Sequence, residues 1–378
     1  MLSRQRFGLC LTTWTLTAGL LLVFDAGAAR AQQPAPPGDA SSADSGQSTN
    51  PPSLQLLGYA DANFDAEWPD AGSASSSFRI GEFDLLFTST LGQDWSALAE
   101  LVIEAENGAE FAVDLERAVL TYAPRDTFTL SMGRFHSVLS YYNSSFPHAS
   151  WYQVATNRPF SQDFEDEGGL LPSHSVGFAV SSRLGGPLRP RFVFEATNGT
   201  SASGIGTSAP KVSVQSSRDE NSHKAVVGAV QFRPVKVPGL QFGVAAFVDK
   251  VGPSGLPEVS ERITSGHVVF QDDKWEWITE AYGIRHQLPK AAAANSSAVY
   301  TQVARQFGQS RPFFRYERLQ LSEGDPLHAE GVGTTQGPSF GVRFDPSRFV
   351  GVKTQFDWLT HSDRDGRKRF VVQVSFAF

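Results

Sequence analysis

Residues Arg369–Phe378 read RFVVQVSFAF. Phe370, Val372, Val374, Phe376 and Phe378 fall on one parity, and Arg369, Val371, Gln373, Ser375 and Ala377 on the other. A period of two is the mark of a β-strand, whose successive side chains point to opposite faces. One face here is wholly apolar and the other mixed, so the strand separates two different media. Phe370 and Phe378 share the apolar face. At about 3.3 Å per residue and a tilt of about 40°, they lie roughly 20 Å apart along a membrane normal. That is close to the apolar belt, about 25 Å tall, of a transmembrane barrel.

The same alternation recurs upstream. Trp95, Ala97, Ala99, Leu101, Ile103 and Ala105 share a face, opposite Ser96, Leu98, Glu100, Val102 and Glu104. Leu240, Phe242, Val244, Ala246 and Val248 alternate with Gln241, Gly243, Ala245, Phe247 and Asp249. The pattern predicts strands over 54–64, 78–91, 95–105, 111–122, 127–135, 174–184, 189–198 and 223–233. It continues over 239–250, 262–270, 274–286, 298–308, 311–321, 338–345, 348–360 and 368–378. The spacers alternate short and long, from Gly92-Gln93-Asp94 to the segment 136–173. Short turns on one side and long loops on the other are the layout of an up-and-down membrane barrel. Backbone inside lipid must be fully paired, which leaves helices or closed barrels. The fold expected over 54–378 is therefore all-β: a 16-stranded antiparallel transmembrane β-barrel with short periplasmic turns and long external loops. Its bore is too wide for side chains to fill and is expected to hold water.

Composition narrows the alternatives. Of 378 residues, 40% are apolar and only 19% charged, yet no apolar run beyond the N-terminus is long enough to cross a bilayer as a helix. Phe is the dominant aromatic, with 29 copies. Trp275, Trp277, Trp358, Tyr122 and Phe128 fall near predicted strand ends, where a membrane barrel carries its aromatic girdles. Cys10 is the single cysteine, so an internal disulfide is excluded. The net charge of −7 offers no footprint for nucleic acid. Residues 1–31 read as a signal peptide, with Arg4 and Arg6, an apolar stretch from Leu9 to Phe24, and a cleavage site after Ala31. Residues 32–53 are rich in Pro and Ser and read as a disordered linker. The expected location is the outer membrane of a Gram-negative bacterium, with membrane lipid as the main partner.

Three stretches carry a resemblance. The alternating final strand ending on Phe378, with Phe370 and Phe376, is similar to the insertion signal of bacterial outer-membrane proteins. That likeness implies recognition by the barrel-assembly machinery. Ala118–Tyr122, a short turn and Leu130–Phe135 resemble a hairpin of porins related to the phosphate-selective porins O and P, and Arg311–Arg318 resembles one of their late strands. The resemblance implies a diffusion channel, a homotrimer, and a third external loop folded into the bore.

That loop is 136–173. It is rich in large amphipathic side chains: His136, Tyr141, Tyr142, His148, Trp151 and Arg158 are candidates for a constriction. Alternation aims Glu82, Asp84, Glu100, Glu104, Asp114, Glu116, Glu195, Asp249, Glu276, Glu280 and Asp357 inward, against Arg183, Arg191, Lys353 and Arg369. The acid surplus predicts a mild cation preference, and argues against phosphate transport. The faces of Arg117, Arg134, Arg315 and Arg318 are left open by the pattern. Asp163, Glu165, Asp166 and Glu167 form an acidic run that would suit Ca²⁺ only weakly, lacking EF-hand spacing. Gly337–Gly341 matches a nucleophile-elbow pattern but enters a strand, out of context for that motif. The leading expectation is a porin for small hydrophilic solutes, needing no cofactor. The alternatives are a closed barrel serving as scaffold or anchor for a partner protein, and a barrel lipid hydrolase using Ser137 or Ser339 with a His.

Overall fold

The computed structural model describes residues 53–106, 110–165, 169–208, 210–329 and 332–378. The expected signal peptide and the linker up to residue 52 lie outside the described residues, as do Asp166 and Glu167. The strands are β1 (Ser53–Pro69), β2 (Ser75–Leu91), β3 (Trp95–Glu106), β4 (Glu110–Arg125), β5 (Phe128–His136) and β6 (His174–Arg183). They continue as β7 (Arg191–Thr197), β8 (Thr200–Ser203), β9 (Lys211–Val214), β10 (Ala225–Phe232), β11 (Leu240–Val251) and β12 (Val259–Gln271). The last six are β13 (Trp275–Gln287), β14 (Ala294–Arg305), β15 (Ser310–Leu321), β16 (Gly333–Ser347), β17 (Val350–His361) and β18 (Arg367–Ala377). One short helix, α1 (Tyr141–Ser145), lies in the segment between β5 and β6.

Sixteen strands form a closed antiparallel barrel, in chain order except that β7 pairs with β10 and β18 returns to β1. The seam runs from Tyr59↔Ala377 to Pro69↔Arg367. Gly58 and Phe378 extend it by exchanging backbone hydrogen bonds of 2.9 Å in both directions. All sixteen expected strands are present. β1 and β2 outrun their predicted ends, which shrinks the connection expected at 65–77 to residues 70–74, whereas β7 and β10 fall short of the expected 189–198 and 223–233. The 199–222 connection holds an unforeseen hairpin, β8–β9. It packs Ala202 against Val251, Val259 and Leu327.

The apolar parity faces outward on every strand singled out above. Trp95, Val244, Val248, Val374, Phe376 and Phe378 are exposed, while Glu100, Val102, Phe247, Asp249, Gln373 and Ser375 are buried. Trp275 and Trp277 at one rim and Trp358 near the other are exposed, and the rings of Trp95 and Tyr122 meet at a tilt with centroids 4.6 Å apart. Phe314 and Tyr316 also point out, which settles β15: Arg315 and Glu317 face in, and Arg318 faces out.

Gly133 pairs with Val119 where β4 and β5 run side by side, with φ +132. A Cβ there would lie 1.9 Å from the carbonyl oxygen of Ala118. Backbone cannot swing aside as a side chain can. Gly133→Ala should therefore destabilise the barrel by about 1–3 kcal/mol. Gly228→Ala, whose Cβ would meet nothing within 4 Å, should be near neutral. Thermal loss of the folded band on unheated gels checks both, and equal midpoints for the two variants would contradict this reading.

Candidate functional site

The segment between β5 and β6 turns into the barrel instead of away from it. Its feet are His136 and His174, the last paired residues of the hairpin. Ser137 donates its backbone N–H to Ser173 at 2.8 Å and closes the neck. Beyond the neck the chain must satisfy its backbone without water, because a buried unpaired amide costs about as much as a lost hydrogen bond.

The wall supplies the partners, sorted by charge. Carboxylates accept loop N–H groups. Glu195 receives Val138 N–H at 2.8 Å and the Ser137 hydroxyl at 2.7 Å. Glu280 receives Tyr141 and Tyr142 N–H at 2.7 and 3.0 Å, at the start of α1, whose N-cap is Ser140. Glu317 receives Phe160 N–H at 2.6 Å, and Glu100 receives His148 N–H at 3.1 Å. Asp61 receives the Ser150 hydroxyl at 3.0 Å. Cations serve the loop carbonyls. Lys353 donates to Ser150 and Ala155, Arg343 to Trp151 and Gln153, and Arg315 to Asn157. Such charge-assisted bonds are the strong class. The loop thus bonds to wall strands from β1 round to β18.

Apolar contact completes the docking. Val138, Leu139, Leu170 and Leu171 pack on Val193, Val227, Phe247, Ile263 and Ile284 of the inner wall. Tyr141, Tyr142 and Phe146 pack on Val269, Ile278 and Tyr300. A wholly water-filled bore is thereby corrected: these inward faces are greasy because the loop covers them. The cavity left beside Leu170, Leu171 and His328 measures ≈ 10 Å³, room for about one water.

The sequence candidates fall in distinct places. Tyr141, Tyr142, His148 and Arg158 are buried between loop and wall, and Trp151 is half-buried against Arg343. Arg158 holds the loop's interior together, donating to Gln162 and Asn143 with its guanidinium over Tyr142 and Phe164. His148 stands 3.1 Å from Glu82. Burial alone would strip its proton, but Glu82, Glu116 and Glu100 outweigh that and hold its pKa at about 10. Glu116, Glu195 and Asp357 are buried, whereas Glu104 and Asp114 keep partial solvent contact. Arg183 and Arg191 lie together near the short-turn rim. Of the acidic run, Glu165 bonds both the backbone N–H and the Nδ1 of His174. Ser137 is committed to Glu195, and Ser339 is buried in β16. Asp61, Arg315, Glu317 and Arg343 are the anchors that sequence reading left out or left open.

One sector of the inner wall escapes cover. Inward residues Asp114, Arg117, Thr121 and Ser131 of β4 and β5, with Ala179 of β6, are half-buried. On the opposite wall Glu280, Tyr300, Gln302, Arg315 and Lys353 are at most 2% exposed. Arg117 stands midway along the open sector, paired with Glu100 and 16% exposed.

No family model matches the chain, and no curated protein matches it in sequence. Solved structures do share its fold. An anion-selective porin from Comamonas acidovorans superposes with a TM-score of 0.61 at 14% identity, covering 87% of this chain and 100% of its own. The outer membrane channel DcaP of Acinetobacter baumannii gives 0.56 at 11%, covering 88% and 99%. Salmonella typhi OmpF in complex with daunomycin gives 0.56 at 13%, covering 86% and 97%. The fold is that of the bacterial porins.

Glu280 is the busiest anchor, accepting also from Tyr282 and Tyr300 at 2.7 Å each. Glu280→Gln turns an NH₂ group toward those donors. Each donor left unpaired costs about 1–3 kcal/mol, enough to open the loop about tenfold more often or beyond. Limited proteolysis within 137–173 should accelerate accordingly while the folded barrel band persists; unchanged cleavage would count against Glu280 as an anchor.

Proposed function

We propose that this chain is an outer-membrane porin passing small hydrophilic solutes or ions along a narrow path, constricted by the loop 137–173. In this reading the short-turn rim is periplasmic and the long-loop rim external, as in membrane barrels generally. The observation that carries it is the contrast within the inner wall. Most inward residues of the β4–β6 sector keep some solvent contact, Glu116, Phe135, Ser175 and Ser181 excepted, while most inward residues of the opposite wall are buried beneath the loop.

The path would pass Arg117, with Glu104 and Asp114 toward the long-loop rim and Thr121, Ser131 and Ala179 toward the short-turn rim. The charge expectation is refined accordingly. Most inward acids are engaged in holding the loop, so the field at the path comes from the few that solvent still reaches. With Glu82 paired to His148, Glu104 and Asp114 still outnumber Arg117 there, which supports a modest cation preference. The hairpin resemblance is not extended to phosphate, which requires a path lined by Arg and Lys. A homotrimer fits the relatives, since the structures of similar fold include Vibrio cholerae OmpT, solved in a trimer form.

The sealed wall favours one competing reading, a closed barrel serving as scaffold or anchor. Planar-bilayer recording separates the two. Purified protein should give discrete conductance steps with a reversal potential favouring K⁺ over Cl⁻. Arg117→Ala should enlarge the step and strengthen the K⁺ preference, because it removes both the plug and the cation nearest the path. Silence from well-folded protein would support the closed barrel, and a Cl⁻ preference would overturn the charge assignment.

A further inference from the structure

At the neck of the inward loop three donor atoms converge. His136 ends β5, His174 begins β6, and the two are directly paired. Glu116 comes from the neighbouring β4. One donor atom from each of the three lies within 4.8 Å of the other two. We propose that Glu116, His136 and His174 form a binding site for a divalent transition-metal ion of the zinc class, which clamps both feet of the loop to the barrel wall.

The hydrogen bonds around the imidazoles fix which nitrogens face the centre. His136 Nδ1 lies 2.7 Å from the carbonyl oxygen of Asn143. A carbonyl can only accept, so Nδ1 carries the proton and Nε2 presents a lone pair. That Nε2 is buried and has no hydrogen-bond partner. His174 Nδ1 lies 3.0 Å from a Glu165 carboxylate oxygen, which likewise accepts. Its Nε2 lies 2.5 Å from Glu116 Oε2. A lone pair and a carboxylate at that distance need a positive centre to bind them. A proton on His174 Nε2 would serve that pair alone and leave His136 Nε2 unanswered. A metal ion serves all three.

The surroundings have the character of a metal site. Ligand imidazoles are typically held by a carbonyl or carboxylate at the other ring nitrogen, and here one is held by each. Two imidazoles and a carboxylate suit Zn²⁺, Co²⁺, Ni²⁺ or Cu²⁺, whereas Ca²⁺ and Mg²⁺ prefer all-oxygen sets. Metal–donor bonds of about 2.0–2.1 Å place tetrahedral donors roughly 3.4 Å apart. The separations present, 2.5 Å for one pair and within 4.8 Å for the group, bracket that value, so small side-chain rotations suffice. Phe164 walls the site, its ring 4.7 Å from His174 and 6.0 Å from His136. The acidic run noticed in the sequence contributes Glu165, which orients a ligand instead of binding the ion.

The test uses full-length protein, folded in detergent and stripped with a chelator, then titrated with Co²⁺. One Co²⁺ per chain should bind with the visible d–d bands of a low-coordinate N/O site, and Zn²⁺ should displace it. His136→Ala should abolish the bands. Glu165→Gln keeps all three ligands and should weaken binding about 10- to 100-fold. Loop proteolysis should slow when Zn²⁺ is added to wild type and not when added to His136→Ala. The folded gel band controls for misfolding in each variant. Absence of Co²⁺ bands in folded wild-type protein, or an unchanged titration in folded His136→Ala, would overturn the assignment.

Discussion

A polypeptide segment that enters a barrel takes its amides and carbonyls out of bulk water, and each must find a partner there. In this chain the partners are charged side chains of the wall. Glu195, Glu280, Glu317 and Glu100 take N–H groups, and Lys353, Arg343 and Arg315 take carbonyls. The sorting by sign is what a buried backbone demands, since an amide proton is answered by an anion and a carbonyl by a cation. The same demand explains how ions come to be buried in the bore. Most are paired or hydrogen-bonded, as Arg315 is to Glu317 at 2.6 Å and to Asn157, which offsets desolvation; Asp84 is the exception, buried with both carboxylate oxygens lacking a hydrogen-bond partner.

The outer surface answers the opposite constraint. Lipid offers no hydrogen bonds, so the outward face carries apolar side chains while the ladder closes on itself at β1 and β18. The two constraints meet in every strand, because parity assigns one set of side chains to each. A single residue inserted or deleted within a strand would send its anchors into the membrane and its apolar residues into the bore. Bulges between Glu100 and Leu101, and between Ala60 and Ala62, shift the register locally without exchanging the two faces over the whole strand.

Parity is also why so much of the fold was legible in the sequence. The sixteen barrel strands run eight residues or more, or carry strong alternation, and stand out without any knowledge of their neighbours. The β8–β9 hairpin did not, since four-residue strands such as TSAS and KVSV show too few repeats to declare a period. The sequence leaves Arg315 open because Phe313 and Phe314 are apolar on both parities; Tyr316 and Phe314, both outward, break the tie only in the folded barrel. The inward acids were readable as inward, yet their task was not. Glu280 meets amides 138 and 139 residues away in the chain, and no local pattern announces such a partner. Nor could alternation tell that Ile263, Ile278 and Ile284 face a loop instead of water, since either environment sits on the same parity.

A charge that accepts hydrogen bonds from a docked backbone is not available to a passing ion in the way a solvated one is. Counting inward acids and bases therefore overstates the field that a solute would meet. What matters is the subset that solvent still reaches, and in the proposed path that subset is small: Arg117, with Glu104 and Asp114 beyond it. Selectivity and loop docking then draw on the same residues, so a substitution that weakens an anchor also releases its charge into the bore. An anchor variant should for that reason change ion preference and loop stability together, whereas a variant at a solvent-reached position such as Asp114 should change preference alone. The coupling follows from geometry, because one carboxylate cannot both satisfy a buried amide and face water.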